Sequence, residues 1–286
     1  MTHRLRPGPS RRVRVREVTA GGAREREDRL TTEEPLEIRL AWPGRPAERL
    51  AVTMRTPGHD FELVAGFLFG EGVIDSASDL HTVAYCSDDT LSPEEKFNVV
   101  TATLASLPRV PPGQRYAGLT AGSSACGVCG KQSVDDVLAA SAGRTRSGRV
   151  APPVDPAVVS GLPDRLSESQ RLFSTTGGLH AAGLFEADGT AVVVREDVGR
   201  HNAVDKVIGS RVLADESTAL PLLCVRGRIG FELAQKAVAA GVDLIAAVGA
   251  PSSLAVELAE RAGLCTVGFV RGERFVIYTG HDRVGV

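Results

Sequence analysis

The alternation in the C-terminal third constrains the fold more than any other feature of the chain. Leu222 to Val225, Leu244 to Val248 and Thr266 to Val270 are short apolar runs. Between them, Phe231 to Ala240 and Ser253 to Ala262 carry helical periodicity and end at Gly241 and Gly263. The pattern predicts β-α-β-α-β. Right-handed crossovers make the three strands parallel, so the loops that follow them emerge on one edge of the sheet. Those loops are Arg226-Gly-Arg-Ile-Gly230, Gly249-Ala-Pro-Ser-Ser253 and Arg271-Gly-Glu-Arg274. Ligands of open α/β sheets bind on that edge. Here it gathers Arg226, Arg228, Arg271 and Arg274, the hydroxyls of Ser252 and Ser253, and two helix amino ends, which predicts a phosphate site. The spacing from Gly227 to Gly230 is neither G-x-G-x-x-G nor a P-loop, so the expected ligand is a pyrophosphate-bearing nucleotide held in another way.

A second feature is the run Gly122-Ser-Ser-Ala-Cys126-Gly-Val-Cys129-Gly130. Its glycines predict a mobile loop with two thiols near the tip. Ser133-Val-Asp-Asp136 then has the form of an N-cap with an acidic third position, opening a short helix through Val137 and Leu138. A helix amino end aimed at a sulfur favours the thiolate. Several chemistries are open to such a pair. Zinc needs four ligands, and the other cysteines, Cys86, Cys224 and Cys265, stand alone, so no metal site is expected. A thioredoxin-type dithiol sits between a strand and a long helix, whereas Gly118 to Ser124 precedes this pair. Passive thiols between glycines would be a liability. The remaining reading is a sulfur carrier, in which one cysteine takes a persulfide and hands on its outer sulfur.

Elsewhere, Met1 to Leu30 is charged and small-residue rich, with Arg11, Arg12, Arg14 and Arg16, and reads as a disordered, solvated basic tail. Residues 31–109 read as a hairpin-and-helix subdomain. Leu36 to Leu40 and Leu50 to Met54 alternate about the turn at Trp42-Pro-Gly-Arg45. Asp60 is the expected cap of a helix ended by Gly70 and Gly72, with His59 a surface or capping group. His81 to Tyr85 and Phe97 to Leu104 read as strands. Residues 110–286 read as the α/β core. It includes a flexible excursion from Ala142 to Pro156, a helix over Asp155 to Phe173 broken at Gly161 and Pro163, a strand over Ala191 to Arg195, and a helix through Ala203 and Ile208 ended by Gly209.

With 43% hydrophobic residues, 5% aromatics and 31 glycines, an α/β protein is expected. A net charge of -2 gives no global attraction to nucleic acid. No run approaches the ~20 apolar residues of a membrane span. The expected setting is the cytoplasm, with reduced cysteines.

Thr56-Pro-Gly-His-Asp-Phe-Glu-Leu63, Cys126-Gly-Val-Cys129-Gly130, Thr175-Thr-Gly-Gly-Leu-His180, Arg195-Glu-Asp-Val-Gly-Arg-His-Asn-Ala-Val-Asp-Lys206 and Ala250-Pro-Ser-Ser-Leu-Ala-Val-Glu257 together resemble the FdhD/NarQ family, the sulfurtransferases that serve formate dehydrogenase. The resemblance runs from about Leu36 to Thr279. It implies a cytidine-deaminase-like α/β core and a homodimer. It further implies a carrier that accepts sulfur from a cysteine desulfurase and delivers it to the molybdenum of a bis(molybdopterin guanine dinucleotide) cofactor before insertion into formate dehydrogenase. A GDP-like nucleotide would be an analogue of that substrate. Cys126 matches the persulfide cysteine and Cys129 its companion. Phe269, Val270, Arg271, Gly272, Glu273 and Arg274 match the cofactor-binding segment, while Gly230 stands where the family pattern G-R-x-S has serine. His201, Asp197 and His180 are candidates for proton handling or for orienting the cargo, although Asp197 and Asn202 read equally as caps. A zinc deaminase on the related fold would need H-x-E and P-C-x-x-C. No histidine here precedes x-Glu, and Ala125 replaces the proline. A nucleotide-binding regulator with passive cysteines is the other alternative.

Overall fold

A computed structural model describes residues 7–87, 91–108, 134–141 and 152–286. Cys126, Cys129 and the glycine-rich run around them lie outside the described residues, as does most of the excursion from Ala142. The fold is mixed α/β with three sheets. Strands β1 (Ser10–Thr19) and β2 (Gly22–Thr31) form a hairpin. Strands β3 (Glu34–Trp42), β4 (Arg45–Arg55), β5 (Leu80–Tyr85) and β6 (Val99–Leu104) make a four-stranded sheet in the order β4-β3-β6-β5. The third sheet contains β7 (His180–Phe185), β8 (Ala191–Asp197), β9 (Leu222–Val225), β10 (Leu244–Ala247), β11 (Cys265–Arg271) and β12 (Arg274–Thr279), in the order β12-β11-β10-β9-β7-β8.

The predicted β-α-β-α-β unit is present. Strands β9, β10 and β11 are parallel, linked by α7 (Phe231–Ala240) and α8 (Ser253–Ala262). These strands are buried on both faces, which is why they read as unbroken apolar runs. Leu222, Cys224, Leu244 and Ala246 face Val159, Leu162 and Leu166 of α4 (Pro156–Glu168). Leu223, Val225, Ile245 and Ala247 face the opposite way, into a core shared with the four-stranded sheet through Leu36, Ile38, Leu40 and Val100.

Two helices fill the space between the sheets. Helix α1 (Asp60–Gly70) lies against β5 and β6, and α6 (Arg200–Leu213) lies against β7 and β8. They cross at backbone contact: a Cβ on Gly66 would stand 1.9 Å from the Asp205 carbonyl oxygen, and one on Gly209 would stand 1.7 Å from that of Glu62. The helix therefore does not stop at Gly209. The glycine there answers a close approach rather than a C-cap, and the chain turns at Asp215, whose backbone is left-handed.

Several other expectations need correction. Residues 10–31 are a hairpin, not a disordered tail. The Arg-Val alternation of β1 is a strand pattern, and its charges find opposite partners across the register, with Glu17 pairing Arg24 at 2.6 Å and Arg26 at 3.1 Å. Helix α4 runs through Gly161 and Pro163 without a break, and the interruption falls at Ser169 and Gln170, before α5 (Arg171–Thr176). Asp60 is not the cap of α1. That position is His59, in a left-handed backbone with φ 56°. Asp60 instead receives Arg55 Nε and Nη2, both at 3.2 Å, and the Tyr85 hydroxyl at 2.8 Å. The short helices α2 (Pro93–Lys96) and α3 (Val134–Ser141) complete the set, the latter where the sequence places it. Val154 is anchored to the C-terminus by its hydrogen bond to the Arg283 carbonyl, 2.8 Å.

The crossing yields a test. Gly66→Ala and Gly209→Ala each force the helices apart, so denaturant titration should show each losing more than ~2 kcal/mol. Gly230→Ser, where a Cβ meets open space at the start of α7, should match the native protein within a few tenths of a kcal/mol.

Candidate functional site

The C-terminal edge of the six-stranded sheet is built by stacking three loops through glycines. Gly249 N–H donates to the Gly227 carbonyl at 2.9 Å, and Phe269 N–H donates to the Gly249 carbonyl at 3.2 Å. A Cβ on Gly249 would come within 2.6 Å of Gly227 O, so no other residue admits this stack. Arg228, Ser252, Ser253, Arg271, Gly272, Glu273 and Arg274 are all exposed along it, whereas Val270 is buried beneath. The Ser252 hydroxyl caps α8 by accepting from Ala255 N–H, 3.3 Å. Arg271 and Arg274 face each other across the β11–β12 turn. Like charges in that register repel, which an anion between them would relieve. Phe269 is 37% exposed in a left-handed backbone, φ 55°, a conformation costly for a bulky residue.

Because β7 is antiparallel to β9 and β8 in turn antiparallel to β7, the start of β7, the end of β8 and the amino end of α6 lie on the same edge. His180 Nδ1 sits 2.9 Å from the Arg226 carbonyl. Arg226 turns back toward α5, where Nη1 donates to Gln170 Oε1 at 2.7 Å and the guanidinium lies 4.0 Å above the Phe173 ring. It is thus separated from Arg228, Arg271 and Arg274, with which the sequence groups it. His201 Nε2 pairs with Glu232 Oε2 at 2.8 Å, at the first turn of α7.

The long motif around Asp197 is a scaffold below this edge. Asp197, fully buried, receives Lys206 Nζ at 2.6 Å, Thr56 N–H at 3.1 Å, Gly199 N–H at 2.8 Å and Asn202 Nδ2 at 3.0 Å. Such a carboxylate has no open lone pair for proton handling. Arg195 grips Glu62 through two hydrogen bonds of 2.6 and 2.8 Å. Burial acts to raise the Glu62 carboxyl, but donors from Arg195 and His59 outweigh it and hold it at about 2. Deeper in, burial pushes the Asp205 carboxyl up to about 6, with Lys236, 2.6 Å away, pulling against it.

Burial pushes the Cys224 thiol up to about 12, and burial followed by Asp282 does the same to Cys265. Neither forms a thiolate near neutrality. Cys86 is half-buried, 4.0 Å from Arg39 Nη1. No cluster of three or more possible metal ligands occurs among the described residues.

The FdhD/NarQ family model matches residues 31–285. This chain belongs to that family. It is 49% identical over 280 residues to the sulfur carrier protein FdhD of Streptomyces coelicolor, covering 96% of this chain and 95% of the relative. The sulfur carrier protein FdhD of Mycolicibacterium paratuberculosis is 47% identical over 286 residues, covering 96% and 98%. A crystal structure assigned to a formate dehydrogenase accessory protein from Desulfotalea psychrophila superposes with a TM-score of 0.69 at 25% identity, over 96% of this chain and 99% of that one. Within the family signature, the residues from Arg195 to Lys206 build the clamp, while the loops of the sheet edge carry the exposed arginines. Sequence reading gave no role to Gln170, which nothing in its local pattern separates from a solvated polar residue, and none to Arg200 and Lys206, although both stand in the run Arg195 to Lys206 that carries the family resemblance. No helix among the described residues is long and apolar enough to cross a membrane.

Two measurements check this description. Maleimide applied to the native protein should leave Cys224 and Cys265 unmodified until denaturant is added, as read by intact mass. Glu62 ionises near 2 in the fold against an ordinary 4.5, so its contribution is complete above 4.5 and is lost as the pH falls from 4.5 toward 2. Glu62→Gln should therefore cost about 1–2 kcal/mol near neutrality, allowing for solvent screening, and progressively less as the pH is lowered through that window in urea titrations.

Proposed function

We propose that this chain is a sulfur carrier that supports formate dehydrogenase, working in the cytoplasm as a homodimer. The observation that carries the reading is its match, over nearly its whole length, to proteins named sulfur carriers, together with the Cys126-x-x-Cys129 pair. The inertness of Cys224 and Cys265 supports it, because sulfur chemistry then has few other thiols to use.

In this reading the Cys126 thiolate attacks the terminal sulfur of a persulfide on a cysteine desulfurase. The donor's S–S bond breaks, its cysteine leaves as a thiolate, and a persulfide forms on Cys126 with no net change in oxidation state. Cys129 is its companion. The cargo is the molybdenum of a bis(molybdopterin guanine dinucleotide), bound as substrate and released to formate dehydrogenase after sulfur delivery.

Arg228, Arg271 and Arg274, exposed at the edge and without an ion-pair partner among the described residues, would take the guanine-nucleotide phosphates. The segment from Phe269 to Arg274 would line the base and ribose. Ser252 and Ser253 at the start of α8, and His201 at the start of α6, would border the same cargo. Arg226 belongs to the site in its own half of the edge.

Incubation with a cysteine desulfurase and cysteine should add the mass of one sulfur to the native protein and none to Cys126→Ala. An unchanged gain in Cys126→Ala would sink the assignment, and no gain in either would favour a nucleotide-binding regulator with passive cysteines.

A further inference from the structure

The half of the edge where β7 and β8 meet α6 holds donors that lack acceptors. Gln170 is 2% exposed. Its Oε1 is taken by Arg226, but its Nε2 is buried with no partner among the described residues. Arg200 Nε is likewise buried without an acceptor among the described residues. The two residues flank one stretch of chain, Arg226-Gly227. Arg200 Cδ lies 4.0 Å, and His180 Nδ1 3.6 Å, from the point where a Gly227 Cβ would stand. Stacking on Phe173 holds the Arg226 fork in place, and its Nε and Nη2 donate to no atom of the described residues.

The neighbouring carboxylates are already committed. Glu196 accepts from the backbone N–H groups of Leu172 and Phe173 at 2.9 and 2.7 Å, Asp197 holds Lys206, and Glu232 holds His201. The guanidinium groups of Arg200 and Arg226 therefore remain without a counter-charge among the described residues, the first carrying one buried orphan donor and the second standing beside the other, Gln170 Nε2. Each such donor costs about 1–3 kcal/mol when left unmet. An oxyanion would satisfy them together, since a phosphate offers several acceptors and the charge to match. A carboxamide or a hydroxyl would leave the charges unbalanced.

We propose that Gln170, Arg200 and Arg226 form an oxyanion subsite for a phosphate or diphosphate group, separate from the Arg228, Arg271 and Arg274 cluster. It rests on the proposed function in one respect: a cargo carrying two nucleotides presents diphosphates at two places along the edge. Gly227 sits between the subsite and the rest of the edge, and its lack of a side chain leaves room for a ligand against the backbone.

The test uses inorganic pyrophosphate, titrated calorimetrically into the full chain carrying Arg228→Ala, Arg271→Ala and Arg274→Ala, which removes the other cluster. Gln170→Glu keeps the acceptor that holds Arg226 but turns the orphan donor into a repelling oxygen. Arg200→Lys keeps the charge but loses the Nε–H. Each should weaken pyrophosphate binding by about tenfold or more with an unchanged melting temperature. A role confined to holding Arg226 would be preserved by Gln170→Glu and so would not produce this loss.

The same titrations with GDP separate the sources of the anion. Loss for both ligands assigns the subsite to a nucleotide diphosphate, and loss for pyrophosphate alone assigns it to a free phosphate group; either supports the subsite. Affinity for pyrophosphate within about twofold of the parent in both variants, or no binding by the parent, overturns it. Desulfurase-dependent persulfide loading of Cys126 is read by intact mass on the chain without these substitutions and without a phosphate ligand. Failure of the carrier reading would therefore appear in that assay and leave this titration unaffected.

Discussion

The ammonium of Lys206 is the contact on which the rest of the molecule depends. It is 1% exposed and reaches the Asp197 carboxylate at 2.6 Å, the Thr56 carbonyl at 2.9 Å and the Glu196 carbonyl at 3.4 Å. These partners come from the turn after β4 and the end of β8, and Lys206 itself from the body of α6, so one charge joins both large sheets. Burying an ion pair is expensive unless its remaining donors and acceptors are met. Here the Asp197 oxygens also receive backbone N–H groups from Thr56 and Gly199 and the Asn202 amide, and Asn202 Nδ2 reaches back to the Met54 carbonyl at 2.7 Å. Such a network favours a single arrangement of the sheets over loosely packed alternatives.

A rigid base has consequences for the edge above it. The loops after β9 and β10 and the end of β11 hydrogen-bond to one another at Gly227, Gly249 and Phe269, and the amino end of α6 is set beside them by Asp197. The arginines on these loops are therefore presented from backbone with little freedom to adjust. Preorganised donors bind anions better than flexible ones because less ordering remains to be done on binding. The cost is visible in Phe269, held left-handed, and in the Arg271–Arg274 juxtaposition, the second of which a bound anionic ligand would offset.

Much of this was legible in the chain. Parallel strands buried on both faces leave unbroken apolar runs, and helices ended by Gly241 and Gly263 mark their own limits, so the β9-α7-β10-α8-β11 unit could be read directly. Strand β7 could not, because Ala181, Ala182 and Gly183 have no strand preference of their own; the Phe185 ring and Leu166 fill the space over Gly183 and hold it in the sheet. The β1–β2 hairpin was hidden by composition. Its arginines look like a solvated tail until the facing glutamates are placed in register.

The order of apolar and small residues determined the parallel unit, the edge to which its loops turn, and the presence there of several arginines, because these follow from local periodicity and the handedness of crossovers. Tertiary structure alone decided which charges are buried and which remain open. Asp197 and Arg226 look as available in the sequence as Arg271 and Arg274. Only the fold brings Lys206 within 2.6 Å of the first and Gln170 within 2.7 Å of the second. The physical reason is that a side chain's availability depends on partners distant along the chain, which no local pattern encodes.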